Sequence, residues 1–267
     1  MIYSELKLNN YSEFASGESK LEVYLHGDNK IRPTMLVVPG GGYTFIAQSE
    51  AKPVALRYLS EGFNCFVLTY AIQKPYPIPH QDLACAIKYI REKQKEFNLD
   101  GNLFVVGFSA GGHLVGSYSY LYKEIAEKMA VEPSLLKPTA IILSYAVISL
   151  QTDTHKKTKD YITDCNPNMV DKLSIEKNVG KDYPPTFVWA TEGDRLVSPE
   201  HTNMMAEVLK KNGVIYEKHI FPVLDHGTNV MSMDTRQNPR PFTDYDLICK
   251  TWVDKSINFI VNNFYKK

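Results

Sequence analysis

The segment Gly107-Phe108-Ser109-Ala110-Gly111-Gly112-His113 contains the pattern G-x-S-x-G. The apolar run Leu103-Phe104-Val105-Val106 precedes it. Leu114-Val115-Gly116 and an aromatic-rich stretch to Tyr122 follow. The run has the length and residue types of a buried strand, and the stretch behind it reads as a buried helix. Between strand and helix, the pattern predicts a nucleophile elbow. Such a turn holds its serine in a strained backbone conformation, so its neighbours must be small. It lifts the hydroxyl clear of the sheet and sets helix N-terminal N–H groups beside it. A glycine-rich turn that only packs would use the same residues, so the chemistry depends on partners elsewhere in the chain.

A serine hydroxyl is a weak nucleophile at neutral pH and needs a base, which in turn needs an orienting group. There are seven histidines: His26, His80, His113, His155, His201, His219 and His226. His113 lies in the elbow helix, with the wrong geometry for a base, and reads as a packing residue. His219 lies inside a strand. His226 follows the last strand, in Phe221-Pro222-Val223-Leu224-Asp225-His226-Gly227. A loop at the C-terminal edge of a parallel sheet is where such sheets put chemistry, and His226 is the expected base.

The carboxylate should follow the preceding strand, Thr186 to Thr191, which leads into Glu192-Gly193-Asp194-Arg195. Asp194 is the expected orienting acid, with Glu192 as the alternative. Capping its own turn, or pairing with Arg195, would be its non-catalytic roles. Asp225 adjoins His226 too closely to address its ring. The chain order Ser, Asp, His is that of α/β-hydrolases. Oxyanion donors are expected from the backbone of Ala110, just after the serine, and of Gly41 and Gly42 in the block Pro39-Gly40-Gly41-Gly42-Tyr43. Tyr43 and Tyr70 are expected to shape the pocket. No histidine spacing supports a metal site, and no phosphate loop or dinucleotide fingerprint is present. No cofactor is expected.

These residues need a scaffold. Residues 2–7 and 21–25 alternate polar and apolar and read as an antiparallel entry, turning at Ser16–Ser19. Strands are expected at Thr34–Val38, Phe63–Thr69, 103–106, Ala140–Tyr145, Pro185–Thr191 and Val214–Phe221, the first three of them continuous apolar runs. Helices are expected at Ser49–Ser60, Asp82–Phe97, from Ser198-Pro199 to Asn212-Gly213, and over Leu247–Phe264. Pro75, Pro77 and Pro79 predict an extended loop, and Asp100-Gly101 a turn. Solidly apolar strands alternating with helices predict a mostly parallel eight-stranded sheet covered by helices on both faces. Residues 148–182 are polar and weakly periodic. They read as a small insertion over the site within a single domain, 1–267.

The bulk composition narrows the partners. Lys plus Arg equals Asp plus Glu, at 30 each, which gives no electrostatic case for nucleic acid or an anionic membrane. A neutral small molecule fits better. No stretch has the length of a membrane span, and the N-terminus lacks a signal-peptide core. The cysteines, Cys65, Cys85, Cys165 and Cys249, form no C-x-x-C pair. They are expected to be free thiols in a cytoplasmic protein. Oligomeric state is left open, a homo-oligomer included.

Together these blocks resemble α/β-hydrolase esterases of the acetyl-xylan-esterase and carbohydrate-esterase type, near the hormone-sensitive-lipase branch. The matching stretches are Pro39–Tyr43, Asp82-Leu83-Ala84 with Ala86-Ile87, Gly107–His113, Pro184–Asp194, Phe221–Gly227 and the helix around Trp252. The resemblance implies Ser109 as nucleophile, Asp194 as acid and His226 as base, acting on short-chain, often acetyl, esters of sugars. Two departures bear on the substrate. Pro39 stands where the lipase branch usually opens its glycine block with histidine, and the loop Thr228–Pro241 is long. A formamidase or small peptidase would use the same triad, because ester and amide cleavage share an oxyanion intermediate. A binding protein without catalysis would be expected to have lost a triad member.

Overall fold

Along β3 (Arg32–Val38), Leu36 and Val38 enter one apolar layer while Met35 and Val37 enter the other. Alternation with both faces buried is what a central parallel strand requires. The structure, a computed structural model, describes residues 1–151, 154–235 and 241–266. Parts of the expected 148–182 insertion (152–153) and of the 228–241 loop (236–240) lie outside the described residues.

The elements in chain order are β1 (Ile2–Lys7), β2 (Lys20–Leu25), β3, α1 (Lys52–Ser60), β4 (Asn64–Thr69), α2 (Ile78–Glu92), β5 (Leu99–Phe108) and α3 (Ser109–Lys128). They continue with α4 (Pro133–Leu136), β6 (Ala140–Ser144), α5 (Lys156–Thr163), α6 (Asn168–Leu173), β7 (Thr186–Thr191), α7 (Glu200–Lys211), β8 (Tyr216–Phe221), α8 (Asp244–Lys250) and α9 (Trp252–Phe264). One eight-stranded sheet runs in the order β1-β2-β4-β3-β5-β6-β7-β8. β2 is antiparallel to β1 and β4, and the rest pair in parallel. This is the α/β-hydrolase architecture expected from the sequence.

Helices α2, α3 and α7 cover one face through residues such as Leu83, Ile87, Leu114, Tyr118 and Met205. Helices α1 and α9 cover the other through Val54, Tyr58, Trp252, Phe259 and Ile260. In α3, Leu114, Tyr118, Leu121, Tyr122 and Ile125 recur at helical spacing, and all are buried. Each fully buried Leu, Ile or Phe contributes roughly 1.5–3 kcal/mol. A surface ion pair contributes under about 1 kcal/mol. The two apolar layers therefore hold the sheet. All four cysteines are unpaired, with Cys65, Cys85 and Cys249 buried and Cys165 exposed.

Several boundaries differ from expectation. α2 starts at Ile78, not Asp82, and takes Pro79 into its first turn, where a missing N–H costs nothing. It ends at Glu92 rather than Phe97. Asp100-Gly101 is not a turn but part of β5, where the pairing with β3 shifts register and Gly101 takes φ +94°. The closing helix is two helices parted at Thr251, and a Thr243–Asp246 capping box starts the first of them. α1 starts at Lys52, because Gln48–Glu50 forms a separate 3-10 turn. Among its described residues, the 148–182 segment holds α5 and α6 and no strand.

Candidate active site

The elbow is built by close backbone approach. Ser109 is the first residue of α3 and takes φ +51°, in the left-handed region. A non-glycine residue there costs on the order of 1–2 kcal/mol, which the surrounding packing must hold. A Cβ on Gly111 would sit 2.3 Å from both the Val38 and Pro39 carbonyl oxygens. One on Gly107 would sit 2.5 Å from Gly111 O. The start of α3 thus rests on the end of β3 at Gly111 and folds back on the end of β5 at Gly107, which is why both flanks of Ser109 are glycine.

Two further loops meet Ser109. His226 follows β8, and the Ser109 hydroxyl donates to its Nε2 at 2.8 Å. His226 Nδ1–H donates to Asp194 Oδ2 at 2.6 Å. The Asp194 side chain is wholly buried. Its Oδ1 accepts the Leu196 and Val197 amides at 3.0 and 2.8 Å. Bonding of both oxygens is what makes a buried carboxylate tolerable. Asp194 therefore caps its own turn while it holds the imidazole. Arg195 pairs instead with Asp225, and Glu192 is exposed at the surface. The β7 and β8 loops touch closely: a Cβ on Gly193 would lie 2.5 Å from Val223 O.

Gly41 and Gly42 take φ +122° and +64° and line the same cavity as Ser109 and His226. Among the described residues, neither of their N–H groups donates to a protein acceptor. The Ala110 amide is one of the first N–H groups of α3, which have no partner within the helix. The cavity lined by Gly41, Gly42 and Ser109 has a volume of about 380 Å³, with Phe45, His155, Lys157 and Leu196 at its walls; Ala110 is buried and is not part of its lining.

Tyr43 and Tyr70 do not line this cavity. Both are buried behind the glycine block, where Tyr43 Oη meets His113 Nδ1 at 2.9 Å and Tyr70 donates to Pro39 O at 2.9 Å. A tyrosine beside a glycine turn serves equally well as its backing, and here both do. His113 is fully buried, and its Nε2–H donates to Leu173 O at 2.9 Å, so it is a core histidine.

Three residues near the site escaped the sequence reading. Glu50 is buried beneath the glycine block, and Tyr145 packs its ring on His226 with centroids 4.9 Å apart. His155 comes from the insertion. Its Nδ1 lies 2.9 Å from Thr158 Oγ1, and its Cε1 would be 2.9 Å from a Cβ on Gly42. Partial burial, and then the His226 charge, push the His155 ring toward its neutral form. Among the described residues no group of three His, Cys, Asp or Glu is placed to hold a metal. No described helix is long and apolar enough to cross a membrane.

The BD-FAE family model matches residues 21–209. The chain belongs to the BD-FAE family. The BD-FAE match takes in the glycine block, the elbow and Asp194, and His226 lies beyond it. The chain is 32% identical over 230 residues to an endo-1,4-beta-xylanase B of Butyrivibrio fibrisolvens, covering 83% of this chain and 36% of that protein. It is 27% identical over 224 residues to an acetylxylan esterase of Xylanibacter ruminicola, covering 79% of this chain and 44% of that protein. It thus spans less than half the length of either relative. Among solved structures, an acetyl ester-xyloside bifunctional hydrolase from Caldicellulosiruptor lactoaceticus superposes with a TM-score of 0.75 at 36% identity, covering 90% of this chain and 89% of that one.

Proposed function

We propose that this BD-FAE protein is a carboxylic ester hydrolase that removes short acyl groups, acetyl above all, from sugars such as xylo-oligosaccharides. The observation that carries the reading is the unbroken relay from Ser109 Oγ through His226 to the buried Asp194 carboxylate, at 2.8 and 2.6 Å. Ser109 Oγ attacks the acyl carbonyl and passes its proton to His226 Nε2. Asp194 holds the ring and stabilises the imidazolium. The carbonyl oxygen becomes an oxyanion against the N–H groups of Gly41, Gly42 and Ala110. Collapse expels the alcohol, which takes the proton from His226 and leaves acyl-Ser109. Water, deprotonated by His226, then releases the acid and regenerates the serine.

Support for a sugar ester comes from two sources. The relatives' names include an acetylxylan esterase and an acetyl ester-xyloside hydrolase. The cavity sets polar groups (Thr44, Gln48, His155) beside the apolar faces of Phe45 and Leu196. A hydroxyl-rich ring with an apolar face suits that mixture.

The test compares wild type with Ser109→Ala on 4-nitrophenyl acetate, butyrate and octanoate, and on acetylated xylo-oligosaccharide. Ser109-dependent acetate release from 4-nitrophenyl acetate and from the acetylated sugar is expected, with aryl-ester turnover falling as the acyl chain lengthens. Ser109-dependent activity on aryl esters alone would discard the sugar, and none on any ester would discard the esterase reading.

A further inference from the structure

Glu50 is a buried acid that the relay does not use. It closes the 3-10 turn Gln48–Glu50 and is 4% exposed. A carboxyl buried so deeply is costly unless its oxygens are bonded. Both are. Oε2 accepts the Gly40 N–H at 2.8 Å, and Oε1 accepts the Tyr145 hydroxyl at 2.8 Å.

Those two partners lead to opposite halves of the site. Gly40 immediately precedes the donors Gly41 and Gly42. A Cβ on Gly40 would lie 2.9 Å from Glu50 Oε2, 2.9 Å from Ser109 Cβ and 2.7 Å from Phe108 O. Gly40 is therefore packed between the carboxyl and the elbow. Tyr145 directly follows β6 and takes φ +37°, another left-handed residue. Its ring meets the His226 ring edge-on, with centroids 4.9 Å apart and planes at 71°. Burial pushes the Glu50 carboxyl up, and the Tyr145 hydroxyl, the Gly40 amide and the His226 charge draw it back.

We propose that Glu50 is a positioning residue that sets the oxyanion turn and the His226 ring in one frame, through Gly40 and Tyr145. The inference rests on the serine-esterase reading above. Glu50 borders the cavity, but both its carboxyl oxygens are taken by the Gly40 N–H and the Tyr145 hydroxyl, so it acts through those two groups. It fixes the distance between the base and the donors, and misplacement of that kind is expensive in rate.

The experiment measures 4-nitrophenyl acetate hydrolysis, thermal unfolding and inhibition by phenylboronic acid, an adduct former that needs the oxyanion donors. The proteins are wild type, Ser109→Ala, Glu50→Gln, Tyr145→Phe and the Glu50→Gln/Tyr145→Phe double variant. Glu50→Gln is expected to fold and to lose kcat by on the order of 10²-fold, with KM within about twofold. The boronic acid should weaken by a similar factor. Tyr145→Phe keeps the ring and should cost about tenfold, with the double variant no worse than Glu50→Gln alone, as for two members of one linkage. A folded Glu50→Gln with wild-type kcat and boronic acid affinity overturns the proposal. So does a lowered melting temperature with kcat of the folded enzyme unchanged. If Glu50→Gln fails to fold, Tyr145→Phe decides: lost kcat at constant KM supports the proposal, and wild-type kcat overturns it. Wild type without Ser109-dependent turnover would overturn the esterase reading itself, a result distinct from these.

Discussion

Asp194 and His226 are joined by a bond in which only half of the carboxylate takes part. Oδ2 receives the imidazole N–H at 2.6 Å, while Oδ1 is held by the amides of Leu196 and Val197. Asp194→Asn cannot satisfy both sides, because its amide has one acceptor oxygen. Either the turn loses its cap or the ring meets an NH2 group in the wrong tautomer. The variant should lose kcat by on the order of 10³- to 10⁴-fold. Glu192→Gln, at an exposed position, should stay within about twofold. Steady-state rates on one ester decide between them, and a silent Asp194→Asn with a dead Glu192→Gln would reverse the assignment.

The glycine positions of the elbow admit no methyl group. Gly111→Ala would press a Cβ to 2.3 Å from two backbone carbonyl oxygens, which are not free to move. It should destabilise by about 3 kcal/mol or more, or prevent folding. Gly17→Ala, with nothing within 4 Å, serves as the control and should be nearly neutral. Urea midpoints measure both, and equal midpoints would refute the crowding.

His155 and the substrate alcohol should meet at the cavity wall. His155→Ala should raise KM for acetylated xylo-oligosaccharide by about tenfold, the loss of one or two hydrogen bonds. It should leave 4-nitrophenyl acetate nearly unchanged, since that substrate has no sugar hydroxyl to offer. Equal effects on both substrates would place His155 in the chemistry or the fold instead.

His113 ties stability to pH. Burial, then proximity to His201, holds its folded value down at about 4 against an ordinary 6.5, while the Leu173 carbonyl pulls the other way. Buried His80 is shifted in the same direction, chiefly by burial. The unfolded chain therefore binds the extra protons. The stabilisation is fully present above 6.5 and is lost as pH falls from there toward about 4. Urea midpoints should drop across that window. His113→Gln, which keeps a donor and an acceptor, should flatten the slope. An unchanged slope would remove His113 from the titration.

Much of this was legible because strand ends announce themselves. Ser109 and Asp194 each follow a solid apolar run, His226 follows the mixed edge strand Tyr216–Phe221, and the sheet brings such ends together. Glu50 was not legible. It lies in the polar-looking run Gln48-Ser49-Glu50, and only the 3-10 turn before α1 shows it turning inward. His155 was hidden for another reason: an insertion without strong periodicity has no sheet register to place it. Tyr43 and Tyr70 sit beside the right loop, but their rings point behind it. Pro77-Ile78-Pro79 read as loop because proline interrupts helices. It opens one here because the first turn has no need of those N–H groups.

β8, which carries His226 on its following loop, is an edge strand of the sheet and, among the described residues, pairs with β7 alone. An edge of this kind is where opening begins. Just past His226, Asn229 offers its carbonyl to Trp252 Nε1–H at 2.9 Å, and Trp252 stacks on Trp189 at 4.9 Å between centroids. These are the protein's two tryptophans. Indole fluorescence and turnover should thus fade together under mild denaturant, while the far-ultraviolet signal of the central strands persists. The molecule carries its own optical gauge of whether its base is seated.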